Sequence, residues 1–292
     1  MSNIPSQLKL NFQDEFFVYL DRILVPIKGV EFEQMALDTA FYIAHEYGSK
    51  LDFLHIGKTR KPFFEKYFNK LAKYEIEFDL KIVKKQNISK AIIDHWREHR
   101  QSLVVMSGRR KPTLFDKITI SSISNSVIPH IQAEILQVFP PSMLKLHKKI
   151  KNLAVLLPYS DRDPFLLRWA SAIAAPQKGA TVKVYHVAEV PRLIPLSEAR
   201  NEVEIKKEEK TFREYIDEYS RVFGRIIQPK FIIGHDLSSS LEFIFEKDEP
   251  DMVLIGCSRR KTLIQKITKS LSNKIRDKLL TPGVCVHHML EK

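Results

Sequence analysis

The sequence predicts an α/β fold built twice over: two doubly wound, parallel five-stranded sheets in tandem. Three observations predict it. Short apolar runs alternate with segments of helical period, the pattern of strands covered on both faces by helices. That pattern runs through once and begins again half-way along the chain. The length of 292 residues, with 44% hydrophobic and 28% charged side chains, suits two domains of ordinary size rather than one.

The elements follow in order. Arg22 to Ile27 and Asn152 to Leu157 are apolar runs of the kind that make buried parallel strands. Each leads into an amphipathic helix, Gln34 to Tyr47 with Leu37, Ala40, Phe41 and Ala44 on one face, and Pro164 to Ala175 with Phe165, Leu166, Trp169, Ala170 and Ile173. Trp169 is thereby expected in the core. Gly48 and Gly179 then stop the helices and open strands that end in His55-Ile56 and His186-Val187. Helices are predicted over Phe63 to Lys73 and, longer and more charged, Glu198 to Tyr219. Third strands run from Glu77 to Val83 and Lys230 to Ile233, and helices from Ser89 to Arg100 and Ser238 to Lys247. Fourth strands are Leu103 to Met106 and Met252 to Ile255. After a loop, Ser122 to Val127 matches Ser270 to Ile275 as the start of a last helix, and Ala133 to Val138 matches Gly283 to His287 as a last strand. The paired prolines Pro140-Pro141 and the polar run to Lys151 read as a linker, which divides the chain into residues 1–146 and 147–292.

The loops after the fourth strands carry the most distinctive residues. One contains Ser107-Gly108-Arg109-Arg110-Lys111 and the other Cys257-Ser258-Arg259-Arg260-Lys261. This order of elements, with an Ile-Leu-Val-Pro strand first and a loop of the form G-x-x-G, nine residues, G-(S/T) after the fourth strand, resembles the universal stress protein family over nearly the whole chain, twice. The resemblance implies the adenine nucleotide hydrolase-like fold and, as in many members, ATP held by an Asp at the end of the first strand and by the glycine loop. Such loops work because glycine lets backbone N–H groups approach an anion at a helix N-terminus. It also implies that the final strands of the two halves lie together, as two chains of the family commonly pair.

The nucleotide motif is degenerate here. In the second half Gly256, Arg259, Lys269 and Ser270 stand where the family has Gly, Gly, Gly and Ser or Thr, so two glycines have become long cations. In the first half Met106, Arg109 and Ser121-Ser122 occupy the region, with Pro112 and one further residue inserted. The Asp is absent from both, since Lys28 follows Ile27 and Pro158 follows Leu157. A side chain at a phosphate-cradling glycine blocks the backbone approach, whereas Arg and Lys still attract phosphate by charge. The expected site is therefore an anion or nucleotide site in the second half made by Gly256, Ser258, Arg259, Lys269, Ser270 and Leu271, with ATP or another phosphate-containing anion as its ligand and the family's ATP mode weakened or lost.

Bulk properties narrow the function classes. The formal net charge is +12, spread as 21 basic against 16 acidic residues in 1–146 and 26 against 19 in the remainder. No basic tail exists, and neither Arg-Arg-Lys triplet has interleaved aromatics, which weighs against nucleic acid. No secretory pattern opens the chain and no apolar run reaches a membrane span, so a soluble, cytoplasmic protein is expected. Cys257 and Cys285 form no C-x-x-C. Cys257 beside two arginines is a candidate redox-sensing thiol.

Catalytic and metal-ligating residues are not expected. The chain has no S-G-G-x-D-S turn and no H-x-G-H motif, and His287-His288 have no third residue at ligand spacing. Ser122, Ser124, Ser270 and Ser272 read first as helix caps. His55 and His186, at strand ends on the ligand edge of the sheet, read first as strand-end histidines satisfied by the backbone. The leading expectation is a non-catalytic stress-response binding or regulatory protein, its halves paired within one chain, with a further homo-oligomer or an unidentified protein as partner. The alternatives are a slow ATP hydrolase working at Gly256 to Ser270 and a nucleic-acid binder using the basic triplets.

Overall fold

The computed structural model describes residues 20–28, 33–57, 61–84, 87–108, 121–139, 150–157, 163–175, 177–224, 226–237, 239–240, 247–256 and 283–287. The first half contains β1 (Arg22–Ile27), α1 (Gln34–Tyr47), β2 (Lys50–Ile56), α2 (Lys61–Lys73), β3 (Phe78–Val83), α3 (Ile88–His99), β4 (Leu103–Ser107), α4 (Ser121–Val127) and β5 (Glu134–Phe139). The second contains β6 (Asn152–Leu156), α5 (Asp163–Ala174), β7 (Thr181–Glu189), α6 (Leu196–Ala199), α7 (Val203–Val222), β8 (Ile227–Gly234), β9 (Met252–Gly256) and β10 (Gly283–His287).

Two five-stranded parallel arrays, β3-β2-β1-β4-β5 and β10-β9-β6-β7-β8, meet at their last strands and form one ten-stranded sheet. The seam is antiparallel, running from Gly283 opposite Phe139 to His287 opposite Ile135. Every other ladder is parallel. Successive side chains on a strand point to opposite faces, and the burial follows. Ile23 and Val25 of β1 with Leu153 and Val155 of β6 enter one continuous core shared by α1, α2, α5 and α7. Leu24, Leu54, Val104 and Ile135 pack on the other face with Ile92 and Trp96 of α3. Ala154, Tyr185, Val253 and Ile255 line the corresponding face of the second half. Trp169 is 1% exposed, a core residue as its periodicity predicts.

Local signals explain most boundaries. Gly48 ends α1 at φ 64 and donates its N–H to Ala44, a conformation that glycine adopts without steric cost. Asn87 caps α3 by accepting from the Lys90 N–H, and Arg100 closes it in the left-handed region with its guanidinium 4.9 Å from the Trp96 ring centroid. His95 of α3 is buried, and desolvation, reinforced by His99 and Lys81, pushes its pKa down to about 4. The long helix expected over Glu198 to Tyr219 is instead a short α6 and a separate α7. Glu202 stands between them with extended backbone, φ -63 and ψ 135, and no side-chain cap, so the helical path is broken although the charge pattern is continuous. The helix expected over Ser238 to Lys247 and the last helix of the second half fall largely or wholly outside the described residues.

Gly108, just past β4, shows why a side chain is excluded there. Its N–H donates to the Val138 carbonyl at 2.7 Å, and a Cβ would stand 2.4 Å from the Phe139 ring. That ring is 2% exposed and has nowhere to go. Gly108→Ala should therefore destabilise the fold by about 1–3 kcal/mol, read as a lower midpoint in urea. Phe139→Leu in the same chain should recover part of the loss.

Candidate functional site

In an open parallel sheet the ligand crevice lies beyond the carboxyl ends of the strands, where consecutive connections leave in opposite directions. The strand order places one such switch point between β1 and β4 and a second between β6 and β9. Their hydrogen-bonded ladders differ in length. The β6–β9 ladder runs from Leu153 to Leu156, whereas β1 pairs with β4 only at Ile23 and Leu24. Pro26, two residues further along β1, has no N–H to give a ladder.

The ladders also correct the equivalence of the two loops. Ile23 lies opposite Leu103 and Leu153 opposite Met252; Ser107 lies opposite Val138 and Gly256 opposite Val286. Ser107, not Met106, is therefore the first-half counterpart of Gly256. The first loop then exceeds the second by one residue up to the matched Ser122 and Ser270, instead of two. A count along the sequence aligned the Arg-Arg-Lys triplets with each other and so slipped by one; the backbone register decides otherwise. Ser107 Oγ is buried with no hydrogen-bond partner among the described residues. A Cβ on Gly256 would meet Leu166 Cδ1 of α5 at 3.3 Å, so helix-to-strand packing favours glycine at this position whatever the loop binds.

Of the six residues expected to make the second-half anion site, Gly256 is at the end of β9, at the switch point. Ser258, Arg259, Lys269, Ser270 and Leu271 lie outside the described residues, as do both Arg-Arg-Lys triplets and Cys257. Ser124 is buried and accepts from Gln137 Nε2 at 3.0 Å, a structural bond between α4 and β5. His55 and His186 occupy equivalent places: each Nδ1 is 3.1 Å from a carbonyl oxygen at the end of the neighbouring strand, that of Ile27, the last residue of β1, and that of Leu157, the residue after β6. His186 Nε2 is also 2.9 Å from Glu208 Oε1 of α7, and its ring forms a triangular cluster with those of Phe212 and Phe231, with centroids 5.6, 5.7 and 6.1 Å apart. Both histidines brace strand ends.

The residues that reading the sequence missed are acidic. Glu33 stands at the N-terminus of α1, 6% exposed, and both its carboxylate oxygens accept from the Lys28 N–H, at 2.9 and 3.0 Å. Asp163, at the start of α5 and 1% exposed, occupies the corresponding place in the second half, since both lie at the same distance from the aligned positions Ile23 and Leu153. A carboxylate at a helix N-terminus is favoured by the partial positive charge there. Each half thus places a buried carboxyl group of its own where a bound anion could lie. The shared spacing from the first strand is the signal that could have found them.

Similarities to known proteins accord with this architecture. Residues 151–287 match the Universal stress protein family. No curated protein matches the chain in sequence. Among solved structures, a functionally unknown protein from Pseudomonas aeruginosa PAO1 is 17% identical with a TM-score of 0.61, covering 92% of this chain and 92% of that one. A universal stress protein from Archaeoglobus fulgidus DSM 4304 is 12% identical with a TM-score of 0.56, over 91% and 95%. The cytoplasmic domain of a prokaryotic cation chloride cotransporter is 10% identical with a TM-score of 0.60, also over 91% and 95%. At these identities the likeness is one of fold. No helix among the described residues is long and apolar enough to cross a membrane.

Proposed function

We propose that this chain, whose residues 151–287 match the Universal stress protein family, is a stress-response binding or regulatory protein without catalytic machinery, in which domains 1–146 and 147–292 pair within one polypeptide and the family's ATP mode is weak or lost. The observation that carries this reading is the pair of buried carboxylates, Glu33 and Asp163, one at the start of the helix beyond each first strand. A polyphosphate brought to either switch point meets a buried carboxyl group, and in the first half the Lys28 N–H is already engaged. The sequence adds that Lys28 and Pro158 replace the family's Asp and that Arg259 and Lys269 replace two glycines. Charge is retained in the second loop without the shape that wraps phosphates, which suits a small anion near Ser270 better than a nucleotide.

A charge-assisted hydrogen bond to phosphate is worth about 1.5–3 kcal/mol, so forgoing several of them should weaken ATP binding by several powers of ten. Calorimetry on the unaltered chain should show ATP binding no tighter than inorganic phosphate or sulfate. The variant Pro158→Asp, Arg259→Gly, Lys269→Gly should gain ATP affinity. Tight ATP binding by the unaltered protein would overturn the proposal, and a folded triple variant with no gain would show that positions beyond these three exclude the nucleotide.

A further inference from the structure

α3 carries two imidazoles one helical turn apart, His95 and His99, with Glu98 between them in sequence. Residues four apart share a helix face, and their ring centroids here are 4.5 Å apart. His95 is 6% exposed, and neither of its ring nitrogens has a hydrogen-bond partner among the described residues. A buried imidazole with no partner is rare, because it forfeits its bonds to water and gains none in return. His99 and Glu98 are open to solvent, with side chains 37% and 59% exposed. One ligand atom from each of the three, a ring nitrogen from each histidine and a carboxylate oxygen from Glu98, lie within 4.8 Å of one another.

We propose that His95, His99 and Glu98 form a binding site for a divalent transition-metal ion, at the C-terminal end of α3 and outside the nucleotide-type crevices. Two imidazoles and one carboxylate are a donor set suited to zinc, nickel or copper and not to magnesium or calcium, which prefer oxygen alone. Two histidines at this helical spacing are the arrangement by which helix-borne zinc sites are built. Ligand atoms around a tetrahedral zinc stand about 3.4 Å apart, given bonds of about 2.0–2.1 Å. The group must therefore close by roughly 1.4 Å, a movement within reach of the two exposed side chains. Glu98 is held at 3.0 Å by Lys81 of β3, so it is the weakest of the three ligands and must exchange that ion pair for the metal. Water completes the coordination on the exposed side.

The test uses the full chain, freed of metal by chelator and dialysed, then titrated separately with Zn²⁺, Ni²⁺ and Mg²⁺ and followed by calorimetry and by metal content after equilibrium dialysis. One equivalent of Zn²⁺ and of Ni²⁺ should bind, and Mg²⁺ should not. His99→Ala removes an exposed ligand and should leave the fold intact while weakening the tightest equivalent by about tenfold or more, since even loss of a supporting bond around a metal can cost that much. His95→Phe, which fills the buried space, should do the same with unchanged far-ultraviolet circular dichroism, and Glu98→Gln should have a smaller effect. The ten histidines and two cysteines of the chain offer other places for a metal. The proposal is therefore overturned if the tightest equivalent survives undiminished in both histidine variants, or if the unaltered chain binds neither Zn²⁺ nor Ni²⁺ more tightly than Mg²⁺.

Discussion

Replacing Arg168 by alanine should cost about 3–5 kcal/mol of folding stability. Arg168, on α5, is 5% exposed, and Glu134, at the start of β5, is 7% exposed. The carboxylate of Glu134 accepts from Arg168 Nη2 through one oxygen and from the Trp169 indole N–H through the other. The guanidinium also lies over the rings of Phe165 and Trp169, at 5.2 and 5.1 Å. Removing the arginine takes from a carboxylate in the core the guanidinium that compensates it, and breaking a buried pair by deleting one partner is what makes such truncations severe. The pair itself need not be stabilising, because Arg168 Nη1 has no hydrogen-bond partner among the described residues. Glu134→Met with Arg168→Met should accordingly lie much closer to the unaltered protein than Arg168→Ala alone. Urea denaturation of the three chains checks both statements, and equal destabilisation of the single and double variants would refute the argument.

Phe139→Ala should cost a similar amount, about 3–5 kcal/mol, and should also loosen the coupling between the halves. Phe139 ends β5 yet is buried in a cluster whose other members, Ala154, Tyr185, Val253, Ile255 and Cys285, all come from the second half. It is also the residue opposite Gly283 in the antiparallel seam. The chain has two tryptophans, and they fall conveniently: Trp96 is buried in the first half and Trp169 in the second. Unfolding followed through each alone, in Trp169→Phe and Trp96→Phe backgrounds, should give coincident transitions. Adding Phe139→Ala should pull them apart, the loss of coincidence being the sign that two-state behaviour has broken down. Coincident transitions in the Phe139→Ala chain would show that the seam is held mainly elsewhere.

The elements of the fold were legible because their signals are local. Apolar runs, helix-stopping glycines and the repeat itself locate Arg22–Ile27, Gln34–Tyr47 and Gly283–His287 without reference to anything distant. What was not legible depends on contacts far apart in sequence. The Glu134–Arg168 pair crosses from one half to the other, and nothing around either residue announces its partner. Glu33 reads as one more surface charge until β1 shows where its carboxylate goes. The loop equivalence slipped because the repeated triplet is a more conspicuous marker than the strand before it, although the strand register is what fixes a residue's place at the sheet end. The three-residue group on α3 was hidden by exposure, since His99 and Glu98 look like ordinary solvated positions and only the burial of His95 makes the spacing meaningful.

The seam also bears on whether copies of this chain can polymerise. By consuming the open sides of β5 and β10, it leaves β3 and β8 as the only strands of the described sheet with an unpaired flank. An unpaired flank is a template on which another chain can add a strand. β3 presents Asp79 and Lys81, both exposed and engaged with other charges, and β8 carries Pro229 as its third residue, which has no N–H to donate. A fibre grown by strand addition would need both flanks to accept a neighbour. Among the described strands one flank carries charge and the other a proline, both features that weigh against a further strand being added.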